Sequence, residues 1–64
     1  MLQINSHALS LAMARKGYNN VTLAEAAEVC KKTVNNAKQG HLMREPTVGL
    51  LAKALDVTVE DLAK

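Results

Sequence analysis

Leu23-Ala24-Glu25-Ala26-Ala27-Glu28-Val29-Cys30-Lys31-Lys32-Thr33-Val34-Asn35-Asn36-Ala37-Lys38-Gln39-Gly40 decides the fold of this chain. It reads as two short helices joined by a tight turn. Apolar or small residues stand at Leu23, Ala24 and Ala27, then at Val29 in the turn. They recur at Val34 and Ala37, three apart, which places them on one helix face. Lys31, Lys32, Asn35, Asn36 and Gln39 fall between them and point the other way. All five side chains donate hydrogen bonds, none is acidic, and two are positive. Such a surface suits the major groove of duplex DNA. Lysine bonds guanine acceptors or phosphate, and asparagine and glutamine pair with the adenine edge.

Leu23-Ala24, Val29, Thr33-Val34 and Gly40 also carry a resemblance. They fall without a gap on the pattern Leu-Ala, four residues, Val, Ser, two residues, Thr, Ile, then Gly six residues after Ile. This is the helix-turn-helix pattern of the lambda-repressor-like (Cro/repressor, or Xre-type) regulators, which the chain resembles. Gly17 precedes the motif. Pro46 and the run Leu51-Ala52-Lys53-Ala54-Leu55-Asp56-Val57 follow it, and that run is similar to the family's Leu-Ala-Lys-Ala-Leu-Gly-Val ending. The resemblance spans residues 9–62. It implies an all-α, compact five-helix domain with a central helix-turn-helix.

Sixty-four residues form a single domain, 1–64, with a small core near the lower limit of independent stability. Apolar content is 48%, yet Phe and Trp are absent and Tyr18 is the only aromatic residue. A core of Leu, Val, Ala and Met suits closely packed helices better than a sheet. Eight Lys plus Arg against six acids give +2, so the placement of charge matters more than its sum. The single Cys30 excludes an internal disulfide, and no Cys/His spacing fits zinc. No run of about 18 apolar residues is present for a membrane span. Met1 to Ala14 is apolar, but it lacks the basic start of a signal peptide and is interrupted by His7 and Ser10. The expectation is a cytoplasmic protein in a reducing setting.

Along the chain, Asn5 or Ser6 can cap a first helix, with Leu9, Ala12 and Met13 facing inward. Arg15 and Lys16 complement its dipole, and Gly17 supplies a left-handed stop. The second helix has two possible starts: a capping box of Thr22 with Glu25, or Asn19 or Asn20 one turn earlier. The earlier start leaves room for the third helix and places helix two at residues 20–27, with Glu28-Val29-Cys30 as the turn. Gly40 ends helix three, and residues 41–45 read as a loop. Pro46-Thr47 opens a fourth helix with Val48, Leu51, Ala52 and Leu55 inward. Thr58 caps a short fifth helix, with Val59 and Leu62 returning to the core. No strand is expected.

The chain departs from the family pattern in its helix-turn-helix and around it, and its loop from Gly40 to Pro46 is a little longer than common. Glu28 stands where relatives usually place Gly with positive φ, at a cost of about 1–2 kcal/mol. Cys30 replaces the usual Ser or Thr cap of helix three, which weakens that cap. Lys38 and Met13 stand where many relatives carry an internal Glu–Arg pair. Both partners are replaced together, so no buried charge is stranded.

Carried over from the resemblance, the third helix contacts bases through Lys31, Lys32, Asn35 and Asn36, with Gln39 on the same face. Asn20 is placed to bond a phosphate at the start of helix two, or simply to cap that helix. His41 and Arg44 fit either backbone phosphates or a free surface loop. The family binds palindromic operators as a homodimer, with half-sites about one helical turn apart. Double-stranded operator DNA and a second copy are therefore the expected partners, and no cofactor, metal or small-molecule ligand is implied. A lone Cys30 lacks the partner of a redox switch, and no catalytic constellation is visible. The competing reading is a small helical protein-interaction module, an antirepressor or antitoxin subunit, that keeps the fold without reading DNA. The acid-free cationic face of helix three favours DNA over that alternative.

Overall fold

The computed structural model describes residues 1–63. Five helices carry the domain: α1 (Ser6–Lys16), α2 (Asn20–Ala27), α3 (Lys31–Lys38), α4 (Glu45–Leu55) and α5 (Val59–Leu62). Two short strands, β1 (Leu2–Gln3) and β2 (Leu42–Met43), pair antiparallel in register Leu2↔Met43 and Gln3↔Leu42.

The helix starts follow from side-chain chemistry. Asn5 caps α1, its Oδ1 accepting from the Ala8 N–H at 3.2 Å. Asn19 caps α2 through a reciprocal box: its Oδ1 accepts from Thr22 N–H at 2.9 Å, and Thr22 Oγ1 accepts from Asn19 N–H at 2.8 Å. Thr22 is thus the second member of the box, so the later start with Glu25 is not used. Thr58 and Asp61 form a like box on α5. Cys30 starts α3 with no side-chain cap bond, as its chemistry requires.

Four helix ends share one device. Gly17, Glu28, Gly40 and Asp56 have φ of 70°, 59°, 79° and 58°. Each N–H bonds the carbonyl three residues back, and the next residue's N–H bonds the carbonyl five back. For α2 these bonds are Glu28 N–H to Glu25 O and Val29 N–H to Ala24 O, at 3.3 and 2.9 Å. This is the Schellman arrangement, and it commonly adds an apolar contact from the residue after the left-handed one. Tyr18, Val29 and Val57 occupy that place after Gly17, Glu28 and Asp56, and all three pack against the core.

Leu9, Leu23, Val34, Val48 and Leu51 are wholly enclosed, and among the described residues no polar or charged residue is buried. Burying a side chain of this size contributes about 1.5–3 kcal/mol. The helix α2 packs on both α3 and α4. Buried Ala24, Ala27 and Ala37 keep those helices close.

Two expectations need correction. The chain is not strand-free: β1 and β2 pair across most of the sequence, and Ile4 makes a further bridge with Ala63. Two-residue strands are too short to show a period of two, so sequence pattern does not reveal them. The segment 41–45 is likewise not all loop. Leu42–Met43 is β2, and α4 begins at Glu45, one residue before Pro46. Proline tolerates the first helical turn because its missing N–H has no intrahelical partner there.

Candidate nucleic-acid interface

The α3 helix follows α2 after the three-residue turn Glu28-Val29-Cys30, with Val34 and Ala37 wholly enclosed. Burying those two fixes which side faces out. Lys31, Lys32, Asn35 and Gln39 are exposed on that outer side, as expected, whereas Asn36 is half-buried at its margin. The outer face therefore presents four exposed donor-bearing side chains, with Asn36 beside them at the packed edge.

Electrostatics single out the start of α3. Lys31 and Lys32 occupy its first turn, no acid stands there, and Cys30 supplies no side-chain bond to the free amides. The Cys30 Sγ instead lies 3.6 Å from Thr33 Oγ1. Cations at a helix N-terminus oppose the dipole by about 0.3–1 kcal/mol each at low ionic strength. The free protein is thus less stable than it need be at this one end.

At the other end of α3, the Schellman turn at Gly40 fixes the backbone of His41, whose N–H bonds the Asn36 carbonyl at 3.2 Å. His41 Nε2 then donates to Gln39 Oε1 at 3.0 Å, joining the two predicted residues into one exposed unit. Arg44 is exposed beyond β2, just before α4. Among the described residues it shares no hydrogen bond with the α3 group.

Asn20 is the first residue of α2. Because Asn19 makes the cap, the Asn20 side chain is not consumed in capping. Its Oδ1 is sealed from solvent and has no hydrogen-bond partner among the described residues. The residue borders a groove of about 520 Å³ between α1, the start of α2 and the end of α3, and Lys38 is the cation on its wall. Sequence reasoning left Lys38 out of the site. The available signal was its position about two turns beyond Lys31, on the same flank of α3.

Among the described residues, no helix is long and apolar enough to cross a membrane. No family model, curated protein or solved structure matches the chain.

Proposed function

We propose that the protein is a sequence-specific, DNA-binding transcriptional regulator, a small Cro-like or phage-type repressor that lays α3 in the major groove of a palindromic operator. One observation carries this reading: Lys31 and Lys32 stand in the first turn of a weakly capped helix, against its dipole. An anion beside that turn offsets the cost, and a DNA phosphate or a guanine edge supplies it. The remaining assignments follow from side-chain chemistry. Asn35 and Asn36 read adenine edges. Gln39, His41 and Arg44 sit at the far end of α3 and beyond, where backbone contacts set register. Asn20 bonds a phosphate at the start of α2.

Size bears on the expected dimer. The Cα envelope measures 25 × 20 × 18 Å, and half-sites one turn apart lie about 34 Å centre to centre. Two copies on one DNA face therefore meet only through their ends. Repression by such an assembly is steric, through occupation of polymerase's site.

The interaction-module reading draws on exposed apolar side chains, with Leu42 at 60% and Leu11 at 52% exposure. A titration of mixed-sequence duplex separates the two. For a DNA binder, Lys31→Ala with Lys32→Ala lowers affinity and reduces the salt slope by about 0.9 per lost phosphate contact. Unchanged affinity and slope in that variant would favour the protein-binding alternative.

A further inference from the structure

The small sheet has one open edge. Asn5 N–H donates to the Leu62 carbonyl at 2.7 Å, and Ile4 bridges Ala63. Residues along a strand turn their N–H and C=O groups to alternate edges. Gln3 and Asn5 therefore face the C-terminal end, while Leu2 and Ile4 face β2. The Ile4 carbonyl agrees, lying 3.6 Å from the position a Cβ would take on Gly40. Both edges of β1 are thus covered, and Met43, opposite Leu2, bonds inward. Leu42, one residue off, turns its N–H and C=O to the outer edge of β2. Among the described residues, no turn or helix backbone group takes either of them. The Leu42 side chain is 60% exposed, against 7% for Met43.

The chemistry of this edge matches itself. A residue with a free donor and a free acceptor on one edge pairs antiparallel with its own copy through two hydrogen bonds, which closes a two-fold contact. Its neighbours on that edge do not qualify. The Gly40 N–H is taken by the Ala37 carbonyl at 3.0 Å, and the Arg44 carbonyl by Val48 N–H at 3.1 Å. Charge selects the same centre. An axis at Arg44 sets two cations directly opposite each other, which is destabilising, whereas an axis at Leu42 sets Arg44 opposite Gly40. That register also brings Glu45, the only acid between Glu28 and Asp56, alongside Gln39 and His41 of the second copy.

We propose that β2 is the dimer contact, through antiparallel pairing of Leu42 with Leu42 of a second copy, which joins the two sheets into one. The inference rests on the regulator reading given above and says where its two copies meet. Reach agrees with operator geometry. From Val34 in the middle of α3 to Leu42, four helical steps and four further steps span at most about 20 Å. Half of a one-turn spacing is about 17 Å. A pairing this short covers far less than the roughly 1,200 Å² of a stable interface. The free chain is therefore monomeric, and the strands pair when DNA holds two copies side by side.

The test is a disulfide trap in the Cys30→Ser background, with oxidised glutathione as oxidant. Its two probes are the palindrome selected from random-sequence duplex and a duplex carrying one half-site. Residues that exchange both bonds across an antiparallel pair have Cα atoms about 5.5 Å apart, inside the disulfide range. On the palindrome, Leu42→Cys should form a covalent dimer at least about tenfold faster than on the half-site. Arg44→Cys should not, because its copy lies about 13 Å away, four strand residues along. Leu42→Pro deletes an N–H that faces solvent in the fold. It should keep half-site affinity and lose the tighter binding of the palindrome. Leu42 is exposed, so an unchanged melting curve in each variant serves as the folding control. Equal or absent trapping of Leu42→Cys and Arg44→Cys, or wild-type palindrome binding by Leu42→Pro, overturns the pairing and leaves the regulator reading intact. If no palindrome is enriched, the regulator reading falls. Trapping in the free protein at millimolar concentration then decides the pairing alone: it stands if Leu42→Cys outpaces Arg44→Cys and falls otherwise.

Discussion

Glu28 and Asp56 end α2 and α4 with the same left-handed backbone, φ 59° and ψ 43° in one, φ 58° and ψ 43° in the other. Each is an L-residue with a side chain in a conformation that costs about 1–2 kcal/mol. Glycine removes that strain, although its freer unfolded chain takes back about 0.5–1 kcal/mol. Glu28→Gly and Asp56→Gly should therefore each stabilise the domain by up to about 1 kcal/mol, or several degrees in Tm for a domain of this size. Thermal melts of the two variants check this. A lower Tm in either would show that its carboxylate contributes more than its backbone costs.

The start of α3 offers a second stability gain. Cys30 leaves the first amides without a side-chain acceptor, whereas a serine hydroxyl accepts from the second or third helical N–H. Cys30→Ser should raise stability by about 0.5–1.5 kcal/mol. Urea midpoints at constant m-value provide the measure, and a midpoint that fails to rise would place the Cys30–Thr33 contact above a conventional cap.

Lys31 and Lys32 should show opposite effects on folding and binding. Replacing either with Ala removes a charge set against the dipole and introduces a better helix former, so Tm should rise slightly. The same variants should bind DNA more weakly. Calorimetry and DNA titration on one preparation test the pairing. If both lysines prove stabilising, the electrostatic argument for an anion beside α3 loses its basis.

Ile4 is 1% exposed and links β1 to the C-terminal end through its bridge with Ala63, while Asn5 N–H bonds the Leu62 carbonyl at 2.7 Å. Ile4→Ala should cost about 2–5 kcal/mol, a large share of the stability available to so small a domain. Loss of the cooperative melt at room temperature would agree with this. A shift of only a degree or two would mean that the N-terminal segment is dispensable to the core.

Much of the fold is legible in the sequence because the helices carry both an apolar spacing and chemically distinct ends. Leu9, Ala12 and Met13, and later Val48, Leu51, Ala52 and Leu55, form the inner faces their spacing predicts. Asn19 and Gly17 mark the ends where their chemistry places them. Glu28 is recognisable as strained because it interrupts a motif position. Asp56 reads only as a turn, although it holds the same backbone. The strands escape notice because each has two residues and its partner is remote in sequence. Within the candidate site, the exposure of Lys31, Lys32, Asn35 and Gln39 follows from helical periodicity alone. The Gln39–His41 pairing and the groove shared by Lys38 and Asn20 depend on how helix ends meet in space, which one-dimensional spacing does not encode.

Selection of duplexes from a random-sequence pool by the wild-type chain, set beside Asn36→Ala and repeated at two salt concentrations, tests the regulator reading most directly. The expected result is enrichment of a palindrome with half-sites about one turn apart, weakened by salt and altered at one base position in Asn36→Ala. Weak binding without sequence preference, abolished at moderate salt and indifferent to Asn36→Ala, would contradict it.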